Sequence, residues 1–417
     1  MRFIADWHIH SGYSRACSKA LTLPNIAKMC ERKGINIVAA PDWTHPAVFS
    51  DIENLLVEDR PGMYRLKDGS SPTWFMMSTE VSQIYKKGGR CRRIHNNILS
   101  PSIETSRKIN QELERREFNL KSDGRPILGI DSEELYKIIK DIDERVIMIP
   151  AHAWTPWYSI FGSMSGFDSI EECFGSMTEY IYAVETGLSS DPRMNWHLSG
   201  LDKVVLVSNS DAHSLPKLGR EANVFEIEEP SFSEFVRIFK EQDKEKFLYT
   251  IEFYPEEGMY HADGCRKCGF WCEPTETKKL GGICPKCKKP MVIGVWNRVI
   301  EIADRKFDEL PTDRIPFKSI VPLDVILAEA NNVKSTSSKK VIEQYDRLID
   351  ELGSEFDILL EIPISEIKRF DERVAEAIDR MRSGNIHIRP GYDGVYGEVS
   401  IWSDAERPKS PEQKQLI

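Results

Sequence analysis

The sequence predicts an α/β protein in three parts. Residues 1 to about 250 read as a strand-and-helix sheet or barrel, 251–300 as a cysteine-rich ribbon, and 301–417 as a mainly helical region with a β-hairpin. Three observations carry this. Short apolar runs alternate with helical patterns through the first 250 residues, as in a parallel sheet or barrel. Between 251 and 300 Gly, Cys, Lys and Pro rise and periodicity fades. From 301 the apolar spacing is helical again: Val341, Tyr345, Leu348 and Leu352 form one stripe.

Strands are expected at 2–5, 35–40, 73–84, 146–150, 181–185 and 204–208. The segment 24–33 carries a proline in its first turn and stops at Gly34, the signature of a helix. Segments 132–145 and 231–241 read the same way. Residues 366–382 predict one further helix. Residues 386–389 and 395–402 predict a hairpin across a Pro-Gly-Tyr-Asp-Gly turn. The polar tail 406–417 is expected to fray.

At 417 residues the chain is long enough for two or three domains, and 41% hydrophobic against 29% charged residues excludes global disorder. No run approaches the ~18 apolar residues of a membrane span. The opening MRFIADWHIH lacks the layout of a secretory signal, so a cytoplasmic location and no membrane partner are expected. Five of the nine cysteines are scattered (Cys17, Cys30, Cys91, Cys173, Cys272), which is no disulfide framework. The net charge of -10 argues against polyanion binding by global charge, but leaves room for local basic patches.

Chemistry concentrates just after the strands. Asp6-Trp7-His8-Ile9-His10 follows the first, and an extended chain puts His8 and His10 on one side. Asp42 and His45 follow the second strand, Glu80 lies in the third, and His95 is on the returning arm of its hairpin. His152 and Asp211-Ala212-His213 end two later strands. Six of nine histidines at such positions point to a metal site. Eight or nine ligands are too many for one ion. Two or three divalent ions, bridged by a carboxylate such as Glu80, would use them. Mixed imidazole and carboxylate donors suit Zn, Mn or Fe better than Mg alone. Such ions clamp phosphate, make hydroxide at neutral pH and stabilise a leaving oxygen, so phosphoester hydrolysis is expected. No GxxxxGK[ST] motif occurs, which argues against ATP-driven chemistry.

The order DxHxHS, Asp, Glu, His, His, SDAH resembles the PHP (polymerase and histidinol phosphatase) superfamily over residues 1–250. That resemblance implies a distorted (β/α)7 barrel with a trinuclear metal centre. By position it implies that His8, His10, Glu80, His95, His152, Asp211 and His213 are ligands. Asp42 matches the aspartate of the second motif, while Trp43 stands where a histidine is usual; His45 is the substitute two residues on. Glu185, at another strand end, is a ligand or an orienter of one.

Cys265-Arg-Lys-Cys268 and Cys284-Pro-Lys-Cys287 enclose 15 residues, the spacing of a closed, structural four-thiolate zinc site. Cys272 and His261 are nearby competitors, with four cysteines the preferred set. Basic residues dominate this ribbon (Arg266, Lys267, Lys278, Lys279, Lys286, Lys288, Lys289, Arg298), which suggests phosphate contact. A second basic cluster, Lys86, Lys87, Arg90, Arg92 and Arg93, sits at the tip of the Glu80–His95 hairpin, where it would attract a polyanion rather than a small monoester.

The whole arrangement is similar to endonuclease Q. The match runs through Ala151-His-Ala-Trp-Thr-Pro-Trp157, the segment 163–172, Val184-Glu-Thr-Gly-Leu-Ser-Ser-Asp-Pro192, Ser208-Asn-Ser-Asp-Ala-His213, Tyr260-His-Ala-Asp-Gly264 and Arg389-Pro-Gly-Tyr-Asp-Gly-Val-Tyr-Gly397. The resemblance implies a DNA repair nuclease. It would nick 5′ of deaminated bases (uracil, hypoxanthine, xanthine) and of abasic sites by metal-bound hydroxide, leaving 3′-OH and 5′-phosphate ends. Asp211, Glu80 and His213 are the expected catalytic residues. Reading an altered base requires taking it out of the stack. Trp154, Trp157, Tyr158 and Phe161 offer stacking or pack beneath their loop. The segment 163–168 offers backbone groups to a base edge, and Asp191 and Arg193 are placed to touch phosphate or base. The ribbon and C-terminal region would hold the duplex. The competing readings are a small-molecule PHP phosphatase, a PHP exonuclease and an inactive DNA-binding module. Recruitment by a sliding clamp or another repair protein, the native metals and the oligomeric state stay open.

Overall fold

The structure is a computed structural model and describes residues 1–403, 405 and 406. The expected frayed tail lies, from residue 407 on, outside the described residues.

Seven strands build a distorted barrel: β1 (Arg2–Asp6), β2 (Ile37–Ala40), β3 (Trp74–Lys87), β4 (Arg90–Ser100), β5 (Ile147–Pro150), β6 (Ala183–Glu185) and β7 (Val205–Val207). β1, β2 and β3 are parallel, with Ala5 opposite Ile37 and Ala40 opposite Met77. β4 folds straight back on β3 as a long hairpin, from Met77 opposite Ser100 to Lys87 opposite Arg90. It therefore runs against its neighbours, and β5 pairs antiparallel to it. This reversal is the distortion: a tight turn has replaced a helical crossover. β6 and β7 are parallel. The ring is completed by two seams. Ala153 N–H donates to Glu185 O at 2.9 Å, and His10 N–H donates to Ala212 O at 3.1 Å.

Beyond β1 the sheet continues outward through Ala222–Glu226 and Phe247–Glu252, then Phe317–Ser319 adds in parallel at the edge. Helices pack outside. Leu23–Lys33 has its proline in the first turn and ends at Gly34 in the left-handed region (φ 84°), as its sequence predicts. Trp7 anchors the core beneath β1, edge-on to Phe235 at 5.1 Å and beside Phe225. Alternation along this strand sends Trp7 and Ile9 to apolar surroundings and His8 and His10 together to the other side; those two rings lie 5.4 Å apart.

The cysteine ribbon is a short hairpin, Asp263–Cys265 with Phe270–Cys272, followed by the helices Pro274–Lys279 and Val295–Ile302. The C-terminal part is helical, with a hairpin of His387–Arg389 and Glu398–Ser400. Two expectations need correction. The segment 366–382 is two helices, Ile364–Phe370 and Glu372–Arg382, because Asp371 is extended and caps the second by accepting from Arg373 and Val374 N–H. The hairpin loop 390–397 is longer than a tight turn because it is bound to the ribbon: Ala262 N–H donates to Gly391 O, and Gly394 N–H to Met259 O. The hairpin Leu56–Arg60 with Met63–Leu66 had no clear sequence signal.

The helical region is fastened to the barrel by a buried ion pair. Lys33 Nζ meets Glu355 at 3.0 Å, and Tyr345 OH donates to the same carboxylate at 2.7 Å. No helix among the described residues is long and apolar enough to cross a membrane.

Candidate metal centre

At the strand ends two side-chain groups each bring potential ligand atoms within 4.8 Å of one another: His8, His10 and Asp211; and Glu80, His95 and His152. Glu80 joins them. Its Oε1 lies 2.7 Å from His95 Nδ1 and 3.0 Å from His152 Nε2, while Oε2 lies 3.6 Å from His8 Nε2 and 3.5 Å from His10 Nε2. Asp211 Oδ1 is 3.0 Å from His10 Nε2. Six of the expected ligands thus converge, around the carboxylate singled out as a bridge.

Buried acceptors orient the imidazoles. Glu185 receives His8 Nδ1 on both oxygens at 3.0 Å, and also His152 N–H and the Asn209 amide. Glu185 lies outside both groups, against the far nitrogen of His8, in the place from which carboxylates fix metal-binding histidines. Asp42 does the same for His10, at 3.1 Å from Nδ1. Asp42, expected as a ligand, belongs to neither group: its other oxygen is taken by Ser11 N–H, Ser11 Oγ and Ser14 Oγ, each at 2.7 Å. His45, also expected, lies in neither group; its Nδ1 caps helix Pro46–Leu55 by accepting Ala47 N–H, and its ring lies 4.7 Å from that of Tyr13. Trp43 is fully buried in the core. His213 sits at the rim, its ring 4.7 Å from that of His10 and its Nδ1 donating to Asp211 O.

The backbone is unusual here. Asp42, His152 and Asp211, each following a barrel strand, have positive φ (50°, 30° and 46°). Such conformations cost of order 1–3 kcal/mol and persist where surrounding structure imposes them, typically at functional sites. Gly187 is required beside this turn: a Cβ there would lie 2.5 Å from that of His152.

The donors fit divalent cations. His8 Nε2 is buried with no hydrogen-bond partner, aimed between Glu80 and Asp211. Burial works against charged imidazoles, yet Glu185 and Glu80 hold the His8 pKa well above its ordinary value, and Asp42 and Asp211 raise that of His10 to about 9. Burial would also raise Glu80, but His95, His8 and Arg125 hold it well below the carboxylate range. The carboxylates thus favour a positive charge at His8 and His10, while burial drives His95 down to about 4; a cation placed among these groups would take over the role of the protons. The four cysteines of the ribbon form a separate group, with Cys265 and Cys287 sulfurs 3.7 Å apart, and fit a structural zinc. Cys272 is outside it, against the Thr277 hydroxyl.

Arg125 was missed by sequence reasoning. It donates to Glu80 Oε2 at 2.9 Å, and only its chain neighbour Gly124, lying against Asp42, hints at a close approach. Asp6 fastens the turn carrying Asp211 by accepting Ser210 and Gly219 N–H. Glu252 is buried at the end of its strand, accepting the Thr186 and Thr250 hydroxyls.

The residues expected to meet DNA divide. Trp154 is 1% exposed, packs on buried Phe161 at 4.9 Å and donates to Asn195; these two are core and cannot stack on a base. Trp157 is 45% exposed under Arg93, and Tyr158 lies 4.7 Å from the His95 ring. In the 163–168 segment the Met164, Gly166 and Phe167 N–H groups bond to the loop's own carbonyls (Pro156, Gly162 and Ile160 O), so they are not available to a base edge. Of the hairpin-tip cations, Lys86 and Arg90 are exposed. Lys87 is paired with Asp131 and Glu133, and Arg92 is spent on Gly166 O and the Phe167 ring. Asp191 caps a short helix, and exposed Arg193 lies over Phe307.

A barrel whose strand ends gather histidines and carboxylates into adjoining groups around one carboxylate defines a metal-dependent hydrolase. A family model described as the MJ0043 C-terminal domain matches residues 322–385. The uncharacterized protein MJ0043 of Methanocaldococcus jannaschii is 32% identical over 257 residues, 60% of this chain and 31% of that protein, so the chain spans about a third of its length. The uncharacterized protein YqxK of Bacillus subtilis is 29% identical over 95% of this chain and 99% of its own. The crystal structure of the lesion-specific endonuclease PfuEndoQ from Pyrococcus furiosus is 31% identical, with a TM-score of 0.86 over 98% of both chains. An endonuclease Q in complex with a 27-mer duplex substrate carrying an abasic lesion at the active site is also 31% identical, with a TM-score of 0.84 over 100% of both. The chain belongs to the endonuclease Q family.

Proposed function

We propose that this protein is a DNA repair endonuclease that hydrolyses the phosphodiester bond 5′ of deaminated bases and abasic sites, leaving 3′-OH and 5′-phosphate ends. The observation that carries the reading is the end-to-end similarity to an endonuclease Q whose complex has a lesion at its active site. In this reading residues 1–250 do the chemistry, 251–300 are the ribbon, 301–417 help hold the duplex, and the enzyme works in the cytoplasm.

His8, His10 and Asp211 would hold one divalent ion, Glu80, His95 and His152 a second, with His213 at the rim open to a third. When bound, such ions activate water at neutral pH and stabilise the charge on phosphate and leaving oxygen. Glu185 and Asp42 keep the ligating face of each imidazole turned inward by holding the opposite nitrogen. Arg125, beside Glu80, is positioned to meet a phosphate oxygen entering the centre. Lys86 and Arg90 would draw the backbone in, and Trp157 is the exposed ring available to a base.

The test is an end-labelled duplex with one internal uracil, hypoxanthine or abasic site, given Mn²⁺ or Mg²⁺. A single nick 5′ of the lesion, absent from undamaged duplex and from Asp211→Ala, is expected. No nick, together with rapid phosphate release from a small monoester, would replace this reading with a metabolic phosphatase.

A further inference from the structure

The ribbon helix Val295–Ile302 meets the catalytic half of the molecule through Trp296, packed on His197, and through the charged side chain of Arg298. Arg298 is nearly buried (its side chain 10% exposed), and its guanidinium reaches the loop 153–168. It donates to Phe161 O at 3.0 Å and Phe167 O at 3.2 Å, and pairs with the Asp168 carboxylate. Two backbone carbonyls and a carboxylate gripped by one planar fork fix both position and orientation.

That loop leaves directly from His152 and returns beside His95. Tyr158, held at φ 62°, lies 4.7 Å from the His95 ring, and its carbonyl accepts His95 N–H at 3.1 Å. The loop has little room to yield. A Cβ on Gly162 would lie 2.3 Å from Thr155 O, and one on Gly166 2.5 Å from Gly162 N. A force applied at Phe161 and Phe167 is thus passed through a rigid loop to the two histidines of one ligand group. The other group, His8, His10 and Asp211, rests on different strands; Asp42 and Asp6 support it alone, while Glu185 holds His8 and also accepts His152 N–H.

We propose that Arg298 is a positioning residue through which the ribbon sets the geometry of the Glu80–His95–His152 group, and of that group selectively. The inference rests on the reading of both groups as metal sites. Direct partners of metal ligands typically govern 10–100-fold in affinity, and Arg298, acting on the loop one step behind the histidines, is expected at the low end of that range. Loss of Arg298 should therefore weaken one ion and spare the other.

The experiment titrates Mn²⁺ by calorimetry into protein stripped of ions at the histidine sites, for wild type, Arg298→Met, Arg298→Lys and Glu301→Ala. Glu301→Ala removes the partner of Arg298 on its own helix and none on the loop. Ribbon zinc content and thermal midpoint are followed in parallel. In Arg298→Met one equivalent should keep its wild-type affinity and another should weaken roughly tenfold. On lesion duplex kcat should fall while KM holds. Arg298→Lys should be intermediate, and Glu301→Ala should match wild type. Wild-type affinity for both equivalents in Arg298→Met would overturn the proposal. So would equal weakening of both with a lowered midpoint, which is general destabilisation. A wild-type protein whose histidine sites bind neither Mn²⁺ nor Zn²⁺ would overturn the metal-centre reading itself, a separate failure.

Discussion

Glu252 makes a quantitative prediction because it is a carboxyl group with no cation against it. Burial pushes its pKa up to about 8, with the Asp191 charge acting in the same sense. In the unfolded chain a glutamate titrates near 4.3. The folded protein therefore keeps a proton that the unfolded chain releases, so this site favours folding most below about pH 4 and loses its contribution as pH rises to about 8. Each pH unit between these values costs about 1.4 kcal/mol, or about 3 kcal/mol from pH 5 to pH 7. Glu252→Gln has no proton to release and keeps an oxygen for the Thr186 and Thr250 hydroxyls. Urea unfolding of both proteins at pH 5, 6, 7 and 8, followed by far-UV circular dichroism, should show the variant gaining on wild type by about that amount between pH 5 and 7. Stabilities that run parallel with pH would refute the reasoning, because the native carboxyl would then titrate as it does unfolded.

Other consequences are equally direct. Glu355→Ala strands the buried Lys33 ammonium and should destabilise the protein by about 3–5 kcal/mol, measured by denaturant unfolding; Lys33→Met with Glu355→Met should recover most of it. Cys284→Ser removes one of four thiolates and should abolish bound zinc, read by elemental analysis, while circular dichroism keeps the barrel signal. Trp154→Ala should cost about 3–5 kcal/mol in unfolding free energy, whereas Trp157→Ala should cost under about 1 kcal/mol and lower the preference for a base lesion in the nicking assay.

Much of the centre was legible because strand geometry is short-ranged. The spacing His8-x-His10 fixes a shared side whatever the rest of the chain does, and the two CxxC pairs fix their own turns. What could not be read depends on which of two demands a polar atom meets. Asp42 and His45 have ligand chemistry, but Ser11 and Ser14 occupy one Asp42 oxygen, and the first turn of a helix turns His45 Nδ1 to its own N–H groups. Trp154 and Trp157 are three residues apart in one aromatic segment, and only closure of the loop decides that one is core and the other surface. Arg125 and Arg298 find their partners 45 and 130 or more residues away, with no local pattern to announce them. The break at Asp371 interrupts an apolar periodicity that reads equally well as one helix.

The seam joining β1 to the Asp211 turn has a consequence for synthesis. Trp7 N–H bonds to Asn209 and His10 meets Asp211 across 202 and 201 residues, and β1 also pairs with Ala222–Glu226. A growing chain emerges from its N-terminus, so β1 must wait for half the protein before its second neighbour exists. Glu80, His95 and His152 are all made well before that. The half of the centre containing His8 and His10 gains its carboxylate only when Asp211 has been made and the ring has closed. A chain cut short anywhere before that turn lacks Asp211 and the second neighbour of β1, so an unfinished copy would carry an incomplete metal centre.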